Sequence, residues 1–415
     1  MPARRFRIYI LMFLLAAINY IDRSALSVAA APLAAEFKLD PVQMGYLFSS
    51  FLWLYVLCLV PMGWIVDRYG ARVINAVGIA VWSGATVLTG LTGSFGTLVA
   101  TRVLMGAGEA TTYPAAGQVV RQWVPLRERA LFTTAFNGGA YFGPAVGNLT
   151  LATLIAAAGW RSAFYVCGAV GFVWLAAWLV WYRKPAEASW LGTAERSMLV
   201  EQNQTATADT APRSGLWALL RSPSMIGVMI TQGCGVYTQY LFLTWLPAYL
   251  QAERGISLAK SGWLTSLPYF GAVVLTVLLG RLSDSRLSPE AVRQGGRRRM
   301  VAAMMLVAAV ILFAPLVTNV YLILLLITVA LSGVATTIGL NIALLSDLLR
   351  NTGDAGRATG LLILGGNVFG ILAPIVTGYV VQLTGSYDYA FVVAGALLLV
   401  GATSALSLTH RPIGA

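Results

Sequence analysis

Apolar stretches long enough to cross a bilayer recur from one end of this chain to the other. Twelve can be drawn, over residues 8–35, 42–66, 73–94, 97–123, 128–157, 162–182, 222–251, 259–283, 300–318, 320–349, 355–383 and 387–408. A span needs about 20 predominantly apolar residues, and the longer stretches leave room for tilt. The composition fits no soluble surface: 58% of the 415 residues are hydrophobic and 11% are charged, against about 25% charged in a soluble domain. Disorder, coiled coil and soluble enzyme are excluded. In hydrocarbon every backbone polar group must be satisfied internally, which leaves helices. The chain reads as an all-α polytopic membrane protein.

Several chemistries are excluded next. Cys58, Cys167 and Cys234 lie in apolar runs with no CxxC pairing, so neither a disulfide framework nor a zinc site is expected. The single histidine, His410, excludes multi-histidine metal and bis-histidine haem sites. No cofactor and no metal are expected. No phosphate-binding loop occurs, which argues against an ATP-driven pump. These exclusions point away from an enzyme.

The net charge of +12 has its meaning in its distribution. If the N-terminus is cytoplasmic, only Lys38, Arg161, Arg254 and Lys260 of the 28 Lys+Arg fall on outside segments. Arg23 and Arg102 fall within spans, and all the others fall inside. Basic loops favour the cytoplasmic face, so both termini are expected there, in a cell inner membrane. The charge is an orientation signal and not a nucleic-acid footprint. Met1–Arg7 is basic, but the apolar run behind it leads to Asp22-Arg23 without an A-x-A cleavage site. The first helix is expected to be retained.

The longest polar stretch, 183–221, contains Glu-Gln-Asn-Gln-Thr-Ala-Thr-Ala-Asp-Thr. It divides the chain into an N-terminal six-helix bundle over 1–183, a mobile cytoplasmic linker over 184–220 with a short helix near 193–201, and a C-terminal six-helix bundle over 221–415. The halves look related. Gly63-Trp-Ile-Val-Asp67-Arg68-Tyr-Gly70-Ala-Arg72 follows span two, and Gly280-Arg-Leu-Ser-Asp284-Ser-Arg286 follows span eight. Arg129-Ala130 opens span five, and Arg357-Ala358 opens span eleven. Such duplication marks many transporters, with the substrate site near the midplane between repeats.

Four charged residues within spans carry the chemistry. A charge at a helix centre costs about 2.5–3.5 kcal/mol even on the lenient insertion scale. Asp22 and Arg23 are adjacent in span one, about 100° apart around a helix, so each needs its own partner or a wet cavity. An arginine facing a cavity suits a planar carboxylate, which it can hold bidentately. The alternative for Arg23 is an ion-pair clamp between helices. Arg102 and Glu109 are seven residues apart in span four and share a face. Burial favours the neutral form of Glu109, while Arg23 or Arg102 favours its carboxylate. That competition suits a proton carrier. For Arg102 the alternative is a packing charge that ties span four to span one.

These residues resemble the major facilitator superfamily. Gly63-x-x-x-Asp67-Arg68-x-Gly70-x-Arg72 is similar to its loop 2–3 signature, and Arg102-Val-Leu-Met-Gly106-Ala-Gly108-Glu109-Ala110 to its span-four motif. Asn19-Tyr20-Ile-Asp22-Arg23, Trp53-Leu-Tyr55 and Leu243-Thr-Trp-Leu-Pro247-Ala-Tyr249-Leu250 resemble, more narrowly, the anion:cation symporter family, which includes D-galactonate/proton and related sugar-acid symporters. The resemblance covers the whole chain. It implies twelve helices in two pseudo-symmetric six-helix bundles. It assigns proton coupling to Asp22 and Glu109, with Arg102 organising Glu109, and substrate-carboxylate binding to Arg23. Tyr20, Tyr55 and Asn367 resemble substrate contacts; ordinary packing and an interhelical hydrogen bond are the alternatives. Gln239 and Tyr240 on span seven are weaker candidates.

Two positions depart from the sugar-acid pattern. Ala140 stands where those carriers tend to place glutamine, and Gly339-Leu-Asn341 lacks the expected tryptophan. A less hydroxylated or an aromatic carboxylate stays open. Gly63, Asp67, Arg68, Gly70 and Arg72, with Asp284 and Arg286, read as gating residues whose ion pairs latch one conformation. Pro61, Pro114, Pro144, Pro247, Pro268 and Pro374 are expected to bend helices. Gly139, Gly143 and Gly147 form a small-residue stripe expected to pack across the two halves. The expected function is import of a small organic monocarboxylate with protons, by alternating access, in a functional monomer whose other partner is membrane lipid. An organic-anion exporter or exchanger of the same fold is the alternative.

Overall fold

The computed structural model describes residues 4–205 and 215–414. Long helices follow one another: α1 Phe6–Val28, α2 Pro41–Tyr69, α3 Ala71–Gly90, α4 Phe95–Glu109, α5 Thr112–Trp123, α6 Arg129–Ala158 and α7 Trp160–Trp181. After the polar segment come α8 Pro223–Ala252, α9 Leu258–Arg286, α10 Gly296–Ala308, α11 Val320–Leu348, α12 Ala355–Thr384 and α13 Asp388–Leu408. Among the described residues there is no strand beyond one isolated bridge, Leu349 to Ile413. Ten segments are helical, long and apolar enough to cross a membrane by themselves. The expected spans four and seven fall short of that measure. Span seven, α8, carries Thr231, Gln232, Thr238, Gln239 and Thr244 in its interior.

Span four is broken in two, and Pro114 gives the reason. It has no N–H, so the Ala110 carbonyl finds no donor one turn ahead. The chain answers with a tighter turn: Thr111 N–H donates to Gly108 O at 3.3 Å, and Ala115 N–H donates to Thr111 O at 3.0 Å. Helix α4 therefore ends on Glu109. Pro315 sits in a comparable 3-10 stretch, Ala309–Leu316, which continues α10.

The residues fall into two compact units. Met1–Phe37 and Ser50–Asp209 make the first; Lys38–Ser49 and Thr210–Ala415 make the second. The first turns of α2 thus group with the second unit. There Gly45 lies against the Pro374 carbonyl, and Phe48 meets Trp245 edge-on at 5.1 Å between ring centres.

Within the first unit, glycines set the helix spacings. The stripe on α6 packs inside this unit, not across the halves as the sequence suggested. Its partner is α1: a methyl on Gly139 would lie 2.8 Å from Ala16 Cβ, one on Gly143 would strike the Ala17 carbonyl, and one on Gly147 would lie 3.1 Å from Ile21. The period-four spacing was legible, but nothing in it names the facing helix. Likewise Gly106 admits the Phe51 carbonyl, and Gly108 meets Gly78 and Trp82.

The polar segment is not uniformly loose. Trp190 stacks on Trp123 at 5.3 Å, and Ala188, Leu191 and Leu199 enter the first unit's core. Helix Thr193–Thr205 brings Glu195 to Arg5, at 2.7 Å. Arg5 also grips Glu128, at 2.5 Å, and Tyr9 donates to the same carboxylate at 2.8 Å. Only 206–214 within this stretch lies outside the described residues.

Large apolar side chains stay exposed along outer helix faces, among them Leu57, Val60, Val73, Val77, Val173 and Val180. In water such stripes would be a liability; facing lipid tails they are the expected surface.

The α1–α6 contact gives a direct test. Gly143→Ala should lower the thermal stability of the detergent-purified protein, by about 1–3 kcal/mol, as overpacking does. Gly138→Ala, one step around the helix where a methyl meets nothing within 4 Å, should leave it unchanged or slightly raised. Equal melting temperatures for the two variants would overturn this account of the stripe.

Candidate functional site

The buried charges of the first unit gather on α1 and α4. Arg23 and Glu109 form an ion pair with side-chain exposures of 3% and 0%. Both guanidinium contacts go to one carboxylate oxygen: Nε donates to Oε2 at 2.8 Å, and Nη2 lies 2.7 Å from the same atom. Glu109 Oε1 accepts nothing among the described residues. Asn19 faces this carboxyl, with its own Nδ2 unsatisfied.

Aromatic rings enclose the guanidinium. Arg23 Cζ lies 4.7 Å from the Tyr20 ring centre, 4.8 Å from Phe51 and 5.2 Å from Tyr55. Ring faces attract a cation, by about 2 kcal/mol or more where water is excluded. Tyr113, on α5 just past the break, stands beside Tyr20, Tyr55 and Arg23. Sequence reasoning missed Tyr113 and Phe51. A tyrosine at the start of an apolar segment, one residue before a proline, carries no signal of its own.

Asp22 points elsewhere, as the 100° step requires. It is fully buried, and neither carboxylate oxygen accepts a hydrogen bond among the described residues. Its surroundings are Cys167 on α7, Trp82 on α3, and Arg102 and Glu109 on α4. Arg102 is buried too. Its Nη1 lies 2.8 Å from Met105 Sδ and its Cζ 5.8 Å from the Phe51 ring. Among the described residues Arg102 has no carboxylate within ion-pair distance, so the direct partner of Glu109 is Arg23.

The candidate contacts of the second unit are neutral polar groups. Asn367 is half-buried and donates to the Ile363 carbonyl of its own helix at 2.9 Å. Gln239 and Tyr240 are buried on α8. The Tyr240 ring lies against Gly370, one turn along α12 from Asn367. A pair the sequence did not single out is Gln232 with Asn341: Asn341 Nδ2 donates to Gln232 Oε1 at 3.0 Å and to Val228 O at 2.9 Å.

At the α2–α3 turn, Gly70 has φ +87, a conformation that favours glycine. Gln118 staples the turn by accepting from Ala71 N and donating to Val66 O. Asp67 pairs with Arg121 of α5 at 2.7 Å, with both side chains well exposed. Exposed pairs contribute about 0–1 kcal/mol. Arg68 lies over Trp64 and Tyr69, and Arg72 donates to the Leu179 carbonyl at 2.9 Å. Gly63 has open space around it. Arg286 is exposed; the Asp284 side chain lies outside the described residues.

Comparison with known proteins follows the same lines. The sequence profile of the Major Facilitator Superfamily matches residues 12–292 and 229–414. A probable galactarate/D-glucarate transporter, GudP of Escherichia coli (strain K12), is 32% identical over 97% of this chain and 93% of its own length. The D-galactonate transporter of Escherichia coli O6:H1 is 30% identical over 98% and 95%. A probable sulfoacetate transporter, SauU of Cupriavidus necator, is 32% identical over 95% and 91%. Among solved structures, a bacterial homologue of the human lysosomal transporter Spinster superposes with a TM-score of 0.75 at 18% identity, covering 100% of this chain and 98% of that one. A D-xylose–proton symporter gives 0.74 at 14%, covering 97% of each. Those two likenesses establish the fold. The profile match spans both halves, and the sugar-acid transporters align over nearly their whole length; the chain belongs to the Major Facilitator Superfamily, as a multi-pass membrane transporter.

Proposed function

We propose that this chain imports a small organic monocarboxylate, a sugar acid, together with protons. The reading places it in a cell inner membrane with both termini cytoplasmic. It works as a monomer by alternating access of two six-helix halves, 1–183 and 221–415, joined by 184–220. Of the anions that its relatives' names give, D-galactonate is a sugar monocarboxylate, galactarate and D-glucarate are sugar dicarboxylates, and sulfoacetate joins a carboxylate to a sulfonate; a carboxylate is common to all. The relatives are named as transporters, which supports reading this chain as a carrier and not an enzyme.

One observation carries the proposal. Glu109 occupies the Nε–Nη2 edge of Arg23, and that edge is the fork a planar carboxylate takes bidentately. An internal acid and a substrate anion therefore compete for one cation. A proton on Glu109 removes its charge and frees the fork. The aromatic wall of Tyr20, Phe51 and Tyr55 keeps the released guanidinium oriented and excludes water from it. Proton and substrate then favour each other's binding, and linkage makes that effect reciprocal. Asp22, separate from the pair, is the second coupling acid, and Arg102 lies near both acids without bonding to either. Asn367, Gln239 and Tyr240 supply uncharged substrate contacts. Asp67, Arg68, Gly63, Gly70 and Arg72, with Asp284 and Arg286, act in gating.

The defining experiment is uptake of labelled D-galactonate and galactarate into proteoliposomes, with and without an imposed inward proton gradient. Accumulation above equilibrium that a protonophore abolishes is expected. Uptake indifferent to the gradient would point to an exchanger and remove proton coupling.

Three variants test the assignment. Arg23→Ala should abolish binding, and Arg23→Lys should lose at least about tenfold in affinity because an ammonium lacks the planar fork. Near-normal affinity in the Lys variant, read by calorimetry, would end the carboxylate-clamp role. Glu109→Gln should flatten the dependence of affinity on pH between about 5 and 8, a range open to a buried carboxyl. An unchanged profile would leave Glu109 as a structural partner of Arg23. Asp22→Asn should retain counterflow but not concentrate substrate; accumulation against a gradient in that variant would exclude Asp22 from coupling.

A further inference from the structure

Around Asp22 the first unit holds polar atoms that match but do not meet. The two carboxylate oxygens are acceptors without donors. Beside them, the Trp82 indole N–H on α3 and the Arg102 Nε–H on α4 are donors without acceptors among the described residues. The Cys167 thiol on α7 faces the same carboxyl. All four side chains are buried. Unsatisfied buried polar atoms are uncommon and costly, about 1–3 kcal/mol each. Complementary ones gathered around one acid need a common cause.

The surrounding elements narrow it. From α4 come Arg102 and Glu109, from α7 Cys167, and from α3 Trp82. Helix α6 meets α1 through glycines, which offer no side-chain donor. On α1 itself, Arg23 is turned to Glu109. An ionised Asp22 thus has three side-chain donors in reach: Trp82, Cys167 and Arg102. A protonated Asp22 keeps one carbonyl acceptor and turns its other oxygen into a donor, so it can use fewer of them. The donors around the acid are those that a charged carboxylate would use.

We infer that Trp82 and Cys167 are positioning residues for Asp22, whose indole N–H and S–H close on the carboxylate when it loses its proton and so set its proton affinity. The inference rests on the coupling reading above for its consequence in transport, but not for its test. It makes the Asp22 pocket a proton site with its own donor set, separate from the Arg23–Glu109 pair. Small residues bring the helices that carry these donors close together: Gly168 and Gly171 on α7 lie against Ser83 of α3, the residue next to Trp82, and Gly108 on α4 lies against Trp82 itself.

The test reads the acid directly. Infrared titration of the full-length protein in detergent follows the carbonyl stretch of protonated Asp22, assigned by its loss in Asp22→Asn. Trp82→Phe keeps the ring packing and removes the N–H. Its Asp22 band should persist to higher pH, by about one unit, a tenfold change in proton affinity. Cys167→Ala should shift the band in the same direction by less, and Cys167→Ser should restore it, because a hydroxyl is the stronger donor. The Cys167 pair carries the test alone if Trp82→Phe does not fold.

The pH dependence of D-galactonate affinity, measured in parallel, separates the two readings. A wild type with a titrating Asp22 band but flat affinity overturns coupling and leaves the donor set standing. Unmoved Asp22 bands in folded Trp82→Phe and Cys167→Ala overturn the donor set, whatever the affinity does. An Asp22 band that does not titrate at all overturns both. In the Asp22→Asn background, Trp82→Phe should leave the remaining affinity profile where it was; a shift there would mean that Trp82 acts through general packing.

Discussion

A charge taken out of water must be met by another charge, and the Arg23–Glu109 pair is where this protein meets that demand. The penalty is several kcal/mol per ion even after relaxation, repaid only by close geometry. Closeness here is a property of the backbone. Helix α4 approaches α2 because Gly106 has no side chain to strike the Phe51 carbonyl. Helix α6 approaches α1 because of Gly139, Gly143 and Gly147. The rings that line the guanidinium hang from α1 and α2, and α4 stops at Glu109 because Pro114 denies Ala110 its partner. Small residues, a proline and aromatic rings, unremarkable singly, together hold one ion pair in a dry interior. A pair so placed is also a poor source of net stability, since breaking it leaves a charge buried alone. Under the proposed function it is a device whose occupancy changes with a proton.

The two acids are differently equipped for that change. Glu109 has an arginine on one oxygen and an unsatisfied oxygen on the other. Asp22 has two unsatisfied oxygens beside two unengaged donors, the Trp82 indole N–H and the Arg102 Nε–H. The difference follows from one residue of helix rotation on α1, which sends Arg23 toward α2 and α4 and leaves Asp22 toward α3 and α7. Arg102 stands in the field of both acids while bonding to neither, so loss of a proton from either strengthens its pull on that acid. Under the proposed function, electrostatic communication between the two acids through Arg102 needs no large movement.

The sequence made the spans, the two related halves and the buried charges legible, because each rests on a one-dimensional signal: length of apolar run, repeated motif, charge where charge is expensive. The pairing of those charges was less legible. Arg102 and Glu109 share a helix face and suggested a working pair, yet Glu109 is bonded to Arg23, eighty-six residues away along the chain. The glycine stripe announced a close contact without naming its partner. Trp82, Cys167 and Tyr113 sit in apolar segments where tryptophan, cysteine and tyrosine are ordinary; only their neighbours distinguish them. The polar segment after 183 looked like a tether by composition, but Trp190, Leu191 and Leu199 spaced among its polar residues are what fastens it to the first unit. The break in span four was within reach, since Pro114 was visible, though its consequence for Glu109 depends on which carbonyl loses its donor.

The distribution of polarity between the units bears on selectivity. The buried charges of the candidate site belong to the first unit; the second unit also buries Asp354, and its Arg297–Asp347 pair is partly buried. The second offers amides and hydroxyls, with Asn341 bound to Gln232 and the Val228 carbonyl, and Asn367 bound to its own helix. A cation recognises a carboxylate whatever is attached to it, so the first unit's chemistry is common to galactonate, galactarate and sulfoacetate alike. Neutral hydrogen-bonding groups discriminate more sharply, because a substrate that lacks the matching hydroxyl leaves a buried group unpaired. Under the proposed function, then, a change in the first unit's charges alters whether an anion is moved and with how many protons. A change among the second unit's amides alters which anion. Under that same reading, substitutions near Asn341 in the second unit would leave the Arg23–Glu109 pair and the Asp22 pocket in place while altering selectivity.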